Sequence, residues 1–492
     1  MKCFSSIKYL ITGSKFKLYS IRANNIYQKP HALFNICSRL FSNETNPSIT
    51  NDDEQIPSKP VKKKKKTPEK SKTNVLIHLE NDANFQEIKD QIPEKLFKYR
   101  RVAPEGLYLI NKDTAYDILF AILPYLQTSS AGESSLIEVN PGLGLLTDLL
   151  LNNWSREITL YEPNTQFVKA LNALNEVHRN RINLYYTSFY DVWKLSYQDK
   201  HTSSKKVAVL LGDLPQIPWG KDFCSTIIGI APSNSFLNHL ITSLVFQHSL
   251  MMWGRHQFFL VITPRQYIHY TCNGNTGYMF YRASSIMFQI LFKFKFLCKV
   301  PRKSFLPWVQ SEKKINTKTS KLRCLDSDHL YLVRLEPREN LYEFCKPQDL
   351  KQLWYFVRCN LLSRKNKVIS CLERWVPNCG PKLIIAPDNK FKIEPAKTMN
   401  VDGFDIVTES SEIRTNDFAQ NISIFTEFGD LTPSQLLSLF VEFKSWPEFS
   451  ETTFITSMEN MLLKLENPDE VLDVDDETYT EEIEEKDNKI DD

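Results

Sequence analysis

The sequence predicts an α/β fold in which a doubly wound, largely parallel sheet lies between helices. Three observations predict it. From about residue 100, short apolar runs typical of strands alternate with helical segments. The first of these runs ends in an acid followed by a Gly-x-Gly turn, within residues 136–147. A second acid, Glu162, closes the next predicted strand, 18 residues after Gly144.

The individual elements follow from the spacing of apolar residues. Such residues recur at helical spacing between Ala115 and Ile122, which predicts an amphipathic helix before the first strand. Because helical segments separate the apolar runs that follow, the strands are expected to lie mostly parallel. These strands are predicted at 136–140, 157–161, 182–187, 207–211, 226–231 and 257–263.

The pattern changes after the sixth strand. A helix is predicted from Phe280 to Phe292, followed by Phe-Lys-Phe-Lys-Phe at 292–296. The three rings of this run share one face of a strand, and we expect them in the sheet core rather than stacked on bases. His329 to Leu335 predicts a further strand.

Beyond Pro337 the sequence becomes mainly helical. Large apolar residues predict a helix from Asp349 to Leu361, and a weakly patterned stretch follows from Pro381 to about Asn421. Thr432-Pro-Ser-Gln435 then places a capping residue, a proline and a glutamine where the first turn of a helix needs them. A last amphipathic segment is predicted at 451–464.

The glycine turn is the strongest functional signal that comes from the residues alone. Gly142 and Gly144 allow a tight turn and a close approach of the backbone to a ligand. Thr147 is predicted to open the helix, whose first N–H groups would face that ligand. A carboxylate such as Glu162 commonly binds ribose hydroxyls, so nucleotide cofactors and S-adenosylmethionine both fit. An ordinary strand–turn–helix gives the same pattern.

The composition indicates a mainly globular chain of 492 residues with charged ends. Residues 1–43 hold seven Lys or Arg and no Asp or Glu, which is typical of a mitochondrial presequence. A basic, largely disordered linker is predicted at 44–99, with a lysine run at 62–66. Residues 466–492 hold 14 acids and 2 lysines, which predicts a disordered acidic tail.

The ten cysteines include no Cys-x-x-Cys pair and have no clustered histidine partners. Neither a structural zinc site nor a disulfide framework is therefore expected, and the cysteines are predicted to be reduced thiols. No metal cofactor and no membrane partner are expected.

Between about residues 100 and 380 the chain resembles the ribosomal RNA adenine dimethyltransferase family. Its first motif is present as Glu138 to Thr147, and Glu162 matches the acid that binds the cofactor ribose. Two further segments, 300–305 and 333–337, match the closing hairpin of the family. The match is closest to the mitochondrial transcription factor B branch. The markers of that branch are Asn140, Ile217-Pro-Trp219, Gly229-Ile-Ala-Pro-Ser233 and Pro337-Arg-Glu-Asn-Leu341.

The resemblance implies a Rossmann-like S-adenosylmethionine methyltransferase fold with an antiparallel closing hairpin at 100–338. It also implies a small, mainly helical C-terminal domain at 339–465. The cofactor, where it binds, would be S-adenosyl-L-methionine. The positions that match the family's cofactor-binding residues are Glu138, Asn140, Gly142, Gly144, Glu162 and Ser188.

The chain departs from the family where the target base is held. Active members have Asn-Leu-Pro-Tyr/Phe after the fourth strand, with the ring stacked on a flipped adenine and the Asn aligning its amine. The corresponding residues here are Ile230, Ala231, Pro232 and Ser233. The family's Gly-Gln-x-Phe-Leu is Gly-Leu-Tyr-Leu-Ile from Gly106, and Ser188 replaces an acid. No catalytic residue is assigned, and methyl transfer is expected to be weak or lost.

Two functions follow from the resemblance. The first is a transcription initiation factor of the mitochondrial matrix nucleoid, which assists the mitochondrial RNA polymerase in melting promoter DNA. The second is an active dimethyltransferase of the mitochondrial small-subunit ribosomal RNA. Glu138 and Glu162 could also serve only as hydrogen-bond acceptors at the sheet end. The candidate nucleic-acid contacts are Lys293, Lys295, Lys313, Lys314, Lys318, Lys321 and Arg323.

Overall fold

The computed structural model describes residues 74–80, 83–98, 106–128, 134–153, 156–212, 214–220, 222–231, 233–274, 280–308, 326–384, 397–401, 404–415, 417 and 422–466. The predicted presequence, most of the linker and the acidic tail from residue 467 lie outside these ranges. So do Pro232 and the five predicted basic contacts between residues 313 and 323. No helix in the described part of the chain is both long enough and apolar enough to span a bilayer.

Eleven strands are present in the described residues. They are β1 Tyr108–Leu109, β2 Ser135–Val139, β3 Ile158–Tyr161, β4 Ile182–Tyr185, β5 Ser225–Ile230, β6 His256–Ile262, β7 Phe292–Pro301, β8 Phe305–Leu306, β9 His329–Pro337, β10 Thr398–Val401 and β11 Phe404–Val407.

The α-helices of the same residues alternate with these strands and then continue after them. They are α1 Asn74–Leu79, α2 Ala83–Ile88, α3 Lys112–Thr128, α4 Leu145–Asn153, α5 Val168–Val177, α6 Val192–Thr202, α7 Lys206–Leu211, α8 Asn234–Val245, α9 Pro264–Thr271, α10 Ala283–Leu291, α11 Leu341–Phe344, α12 Leu350–Asn360, α13 Val368–Leu372, α14 Gly380–Ile384, α15 Pro433–Ser445 and α16 Phe454–Glu466.

The central sheet has seven strands in the order β4-β3-β2-β5-β6-β9-β7. The first five are parallel, and β9 pairs antiparallel with both β6 and β7. The chain reverses its winding direction between β2 and β5, so the carboxyl ends of these two strands border the crevice where such sheets bind ligands. The predicted doubly wound sheet with an antiparallel closing hairpin is confirmed.

One predicted strand is wrong. Residues 207–211 are not a strand but part of α7. Val207, Leu210 and Leu211 are buried while Val209 is 83% exposed, so the apolar run has one buried helical face. The Asp199 carboxylate accepts hydrogen bonds from two amides at the start of this helix, those of Lys206 and Val207. This cap, supplied by the preceding helix, outweighs the β-type composition of the run.

The predicted sheet-core role of 292–296 is confirmed. Phe292 and Phe294 are fully buried, and the half-buried Phe296 packs its ring against Tyr267 and Tyr331. The stretch predicted to be weakly patterned contains the hairpin β10–β11. Residues just after this hairpin bond to β7, because the amide of Phe296 donates to Thr408 at 2.8 Å.

The C-terminal helices share an apolar core with one face of the sheet. The predicted start of α15 is confirmed. The Thr432 side chain accepts from the amide of Gln435 at 3.2 Å, and the Gln435 side chain accepts from the amide of Thr432 at 3.0 Å. This reciprocal pairing satisfies two amides that the helix itself leaves unbonded.

Candidate functional site

The turn between β2 and α4 has a left-handed backbone at three positions. Asn140, Gly142 and Gly144 have φ angles of 57°, 61° and 76°. Asparagine is the non-glycine residue that best tolerates this conformation, which explains how Asn140 replaces the usual glycine. The helix begins at Leu145, so Thr147 lies inside its first turn and does not cap it, contrary to the sequence prediction.

Two buried carboxylates hold this turn in place. Glu138, at the end of β2, accepts a hydrogen bond from the Thr147 hydroxyl at 2.7 Å. Glu162, just after β3, accepts from the amide of Gly142 at 3.0 Å and from the amide of Asn164 at 2.8 Å. Both acids therefore stabilise the carboxyl end of the sheet directly, which is the structural role that the sequence left open.

Burial changes the ionisation of both acids. Desolvation raises the pKa of Glu138 from its ordinary value of 4.5 to about 7, although the hydrogen bond from Thr147 acts to lower it. Desolvation also raises the pKa of Glu162 to about 7, although the amides of Asn164 and Gly142 favour its ionised form. The turn is therefore held by carboxyl groups that titrate near neutral pH.

This ionisation predicts a pH-dependent stability. A carboxyl with a pKa raised on folding contributes stability that is complete below about pH 4.5 and is lost as pH rises through about 7. We expect the free energy of unfolding to fall by about 1–3 kcal/mol per group between pH 5 and pH 8. Glu138→Gln, which still accepts from Thr147, should remove about half of that slope, whereas Glu459→Gln on the helix surface should not. Urea unfolding at several pH values measures this pH dependence of the free energy of unfolding. A pH dependence in Glu138→Gln equal to that of the unaltered chain would contradict the prediction.

Tyr108 lies directly against the glycine turn. A Cβ on Gly142 would lie 3.1 Å from the Tyr108 ring, and one on Gly106 would lie 3.2 Å from its hydroxyl. The Tyr108 hydroxyl pairs with the Glu162 carboxylate. The tyrosine is only 8% exposed. Its ring therefore occupies the space in front of the turn on the Glu162 side.

The residues where the family holds its target base have different environments here. Ile230 is the last residue of β5 and is buried in an apolar cluster with Phe259. Ala231 is fully buried, and its carbonyl accepts from the Gln266 side chain at 3.2 Å. Ser233 is exposed just before α8 and does not cap that helix with its side chain. None of these side chains offers an amide or an aromatic face to a base.

Comparison with known proteins decides the family. A family profile described as "Ribosomal RNA adenine dimethylase" matches residues 107–382, which is more than half of the chain. The chain belongs to the ribosomal RNA adenine dimethylase family. The resemblance inferred from the motif at Glu138 to Thr147 is thereby confirmed.

Named relatives agree on the branch within this family. The chain is 39% identical to "Dimethyladenosine transferase 2, mitochondrial" of Drosophila melanogaster over 391 residues, which cover 78% of this chain and 86% of the relative. The human protein of the same name is 24% identical over 303 residues, covering 60% and 75%. The bovine protein is 26% identical over 251 residues, covering 49% and 62%. These similarities confirm the second mitochondrial branch and support a mitochondrial location.

Solved structures give weaker likenesses. The 23S rRNA methyltransferase ErmE has a TM-score of 0.36 and 14% identity, covering 69% of this chain and 100% of its own. A dimethyladenosine transferase from Plasmodium falciparum has a TM-score of 0.37 and 13% identity, covering 68% and 97%. The fold assignment rests on the sheet order itself.

Proteins of this family use S-adenosylmethionine, so the pocket can be tested against that cofactor. A ribose needs room beside Glu162, and the rest of the cofactor needs an open glycine turn. The Tyr108 ring takes that room, because it lies against Gly142 and its hydroxyl is bonded to Glu162. The residues present therefore do not fit the cofactor in this arrangement.

Ser188, predicted as a cofactor contact, is separate from this cluster. It precedes a short 3-10 turn and is half-buried, and within the described residues no hydrogen bond joins it to Glu162 or to the glycine turn. Asp191, which could have replaced the acid missing at this position, instead pairs with Lys194 at 2.8 Å.

The described basic candidates lie on β7. Lys293 is exposed, and Lys295 is half-buried with its amine 5.9 Å from the centre of the Tyr125 ring. Arg334 on β9 faces the same ring at 4.6 Å and pairs with Glu336 at 2.6 Å. The sequence did not single out Arg334 or Tyr125 as nucleic-acid contacts, because neither lies in a run of basic residues. Strand pairing places Arg334 opposite Lys295, and helix α3 brings Tyr125 beside them.

Tyr108 and Asn164 are the other residues that sequence reasoning missed. Tyr108 was visible only as part of a motif that had lost its glutamine. The contact between Tyr108 and Glu162 joins residues that lie 54 positions apart in the chain, and no spacing rule predicts such a contact.

Proposed function

We propose that this protein is a mitochondrial transcription initiation factor that assists the single-subunit mitochondrial RNA polymerase in melting promoter DNA. One observation carries the proposal. The adenine-holding positions of the family are a buried isoleucine, Ile230, and an exposed serine, Ser233, while the fold that presents them is intact. A protein with this fold keeps surfaces suited to unpaired nucleic acid without keeping the means to modify a base.

The physical basis of the proposal is that a protein with such surfaces binds unpaired nucleic-acid strands in preference to a duplex. Binding of an unpaired strand requires a basic surface along the phosphates and aromatic rings near the bases. Lys295 and Arg334 provide positive charge beside the Tyr125 ring, and Lys293 is exposed on the same strand as Lys295. A factor that binds one separated strand lowers the free energy of the open promoter relative to the duplex, and this is what assistance in melting requires.

A salt titration tests this surface. We expect Lys293→Ala with Lys295→Ala to weaken single-stranded DNA binding and to reduce the slope of log affinity against log salt by about 1 to 1.5. Lys169→Ala with Lys464→Ala changes the net charge equally on exposed helical positions and should leave the slope unchanged. Fluorescence anisotropy with a labelled oligonucleotide measures both pairs. Equal effects of the two pairs would show that the β7 lysines act only through net charge.

The partners under this proposal are the mitochondrial RNA polymerase and promoter DNA, and the location is the matrix nucleoid. All of the relatives named above carry "mitochondrial" in their names, which supports the compartment.

A second candidate is an active S-adenosylmethionine-dependent dimethyltransferase acting on adenines of the small-subunit mitochondrial ribosomal RNA. The names of the relatives and the retained Gly142, Gly144 and Glu162 favour it. The loss of an aromatic base platform at Ser233 counts against it, since one base–aromatic stack is worth about 1–3 kcal/mol.

Run-off transcription with the cognate polymerase separates the two candidates. The proposal expects the protein to be required on a duplex promoter and largely dispensable on a template that is already melted over the start site. If the protein is dispensable on both templates, the transcription function is wrong. Stoichiometric methylation of ribosomal RNA by the unaltered chain would instead establish the second candidate.

A further inference from the structure

The cofactor crevice of this chain is bordered by a short strand that lies within the altered Gly-Leu-Tyr-Leu-Ile motif. β1, residues Tyr108–Leu109, pairs antiparallel with β8, so that Tyr108 is opposite Leu306. The amide of Ile110 donates to the carbonyl of Ser304 at 2.9 Å, next to this pairing. Tyr108 is thus fixed from the backbone, at the end of the β7–β9 hairpin, and is not the tip of an open loop.

The side chain of Tyr108 is fixed as firmly as its backbone. Its ring packs against Phe167 with centroids 4.8 Å apart, and its other side covers Gly142. Its hydroxyl interacts with the Glu162 carboxylate and with the Asn164 side chain. The ring therefore lies between the glycine turn and the start of α5, with its polar end on the acid that the family uses for ribose.

These contacts use the very features that a nucleoside would need. A ribose beside Glu162 would have to displace the Tyr108 hydroxyl, and the neighbouring part of the cofactor would overlap the ring against Gly142. The carboxylate oxygens of Glu162 already accept from the amides of Gly142 and Asn164. Displacing the ring would also expose Phe167 and break the apolar packing around it.

We propose that Tyr108 is an internal plug that occupies the cofactor crevice and keeps S-adenosylmethionine out of a pocket whose glycine turn is intact. The crevice is closed by one side chain from β1 and is not collapsed as a whole, because Gly142, Gly144 and Glu162 keep the left-handed turn and its hydrogen bonds. Removal of the ring should therefore restore a nucleoside-binding cavity. The inference concerns only the crevice and holds whether or not the protein acts in transcription.

Binding of S-adenosylhomocysteine, an unreactive probe, tests the plug. In isothermal titration calorimetry on the full-length protein, the unaltered chain should show no saturable binding up to about 1 mM. Tyr108→Ala should bind the probe at least about tenfold more tightly than that limit. Tyr108→Phe keeps the ring over Gly142 and should remain without binding. Tyr197→Ala, which removes an exposed tyrosine ring on α6, should behave like the unaltered chain.

Each outcome decides the question. Micromolar binding by the unaltered chain would overturn the proposal, whatever the variants do. A folded Tyr108→Ala protein that still fails to bind would also overturn it, because another feature would then close the crevice. Circular dichroism establishes folding. If the alanine variant does not fold, Tyr108→Leu, which keeps an apolar side chain against Phe167 but lacks the hydroxyl and the ring, gives the same two-way answer.

Discussion

Phe356→Ala is expected to lower the free energy of unfolding by about 3–5 kcal/mol. Phe356 lies on α12, is fully buried, and is surrounded by other aromatic rings of the C-terminal helices. Its centroid is 5.6 Å from those of Phe440 and Phe443 and 6.1 Å from that of Phe428. Truncation leaves a cavity that these rings, each already packed against others, cannot refill.

The control for this prediction lies on the same part of the chain. Leu362, six positions further on, is 76% exposed, and Leu362→Ala should change stability by less than about 0.5 kcal/mol. Urea unfolding followed by circular dichroism measures both variants. Because the C-terminal helices share their core with the sheet, a single transition should shift in Phe356→Ala. A loss smaller than about 1 kcal/mol would contradict the packing described for α12.

Gly254→Ala is expected to cost about 2–4 kcal/mol. Gly254 has a φ of 127°, which side-chain-bearing residues rarely adopt, and an added Cβ would lie 2.5 Å from the carbonyl oxygen of Ile217. That oxygen belongs to the backbone, and it cannot move alone because the amide of Ile217 donates to Trp253 at 2.9 Å. Relief of the clash would require both segments to separate.

The effect of Gly254→Ala should extend to the Ile217-Pro-Trp219 segment. The Trp219 indole donates to the carbonyl of Glu339 at 3.1 Å, and its ring packs against Tyr342 at 4.6 Å. Gly220→Ala is the matched control, since the nearest atom to its added Cβ is 3.8 Å away. Tryptophan fluorescence during thermal unfolding should show a lower midpoint for Gly254→Ala alone. Equal midpoints for the two variants would show that the segment can move at little cost.

The individual strands of the sheet were predictable because their signals are local. Apolar runs bounded by turns marked six of its seven strands and the helix at α10, and the Gly-x-Gly turn marked the edge where the crevice opens. The capping pair of Thr432 and Gln435 was predictable for the same reason, since both partners lie within one helical turn.

Two elements escaped the sequence prediction because polar contacts, and not the spacing of apolar residues, determine them. Residues 207–211 have strand-like composition but fold as a helix, because Asp199, on the preceding helix, caps its amides. The hairpin β10–β11 had no clear pattern, and its position depends on bonds from Thr408 and Ser410 to β7. The hairpin is positioned by bonds between segments far apart in the chain, whereas the cap comes from a side chain on the preceding helix, and the spacing of apolar residues records neither.

In the candidate site, too, the sequence predicts the residues that share a local motif but not the residue that another segment places there. Glu138, Asn140, Gly142, Gly144 and Glu162 were found from one motif and its spacing, and the structure brings these five together. The aromatic side chain that closes the crevice was not found, because Tyr108 is placed there by its pairing with β8.

Under the proposed function, this chain opens promoters by binding nucleic acid and not through its cofactor crevice. Promoter opening by the cognate polymerase can be followed directly with 2-aminopurine placed next to the start site, whose fluorescence rises when the base unstacks. We predict that opening requires the protein, and that its rate and extent are unchanged by S-adenosylmethionine or S-adenosylhomocysteine. Promoter opening that proceeds equally well without the protein, or that requires the cofactor, would contradict the proposed function.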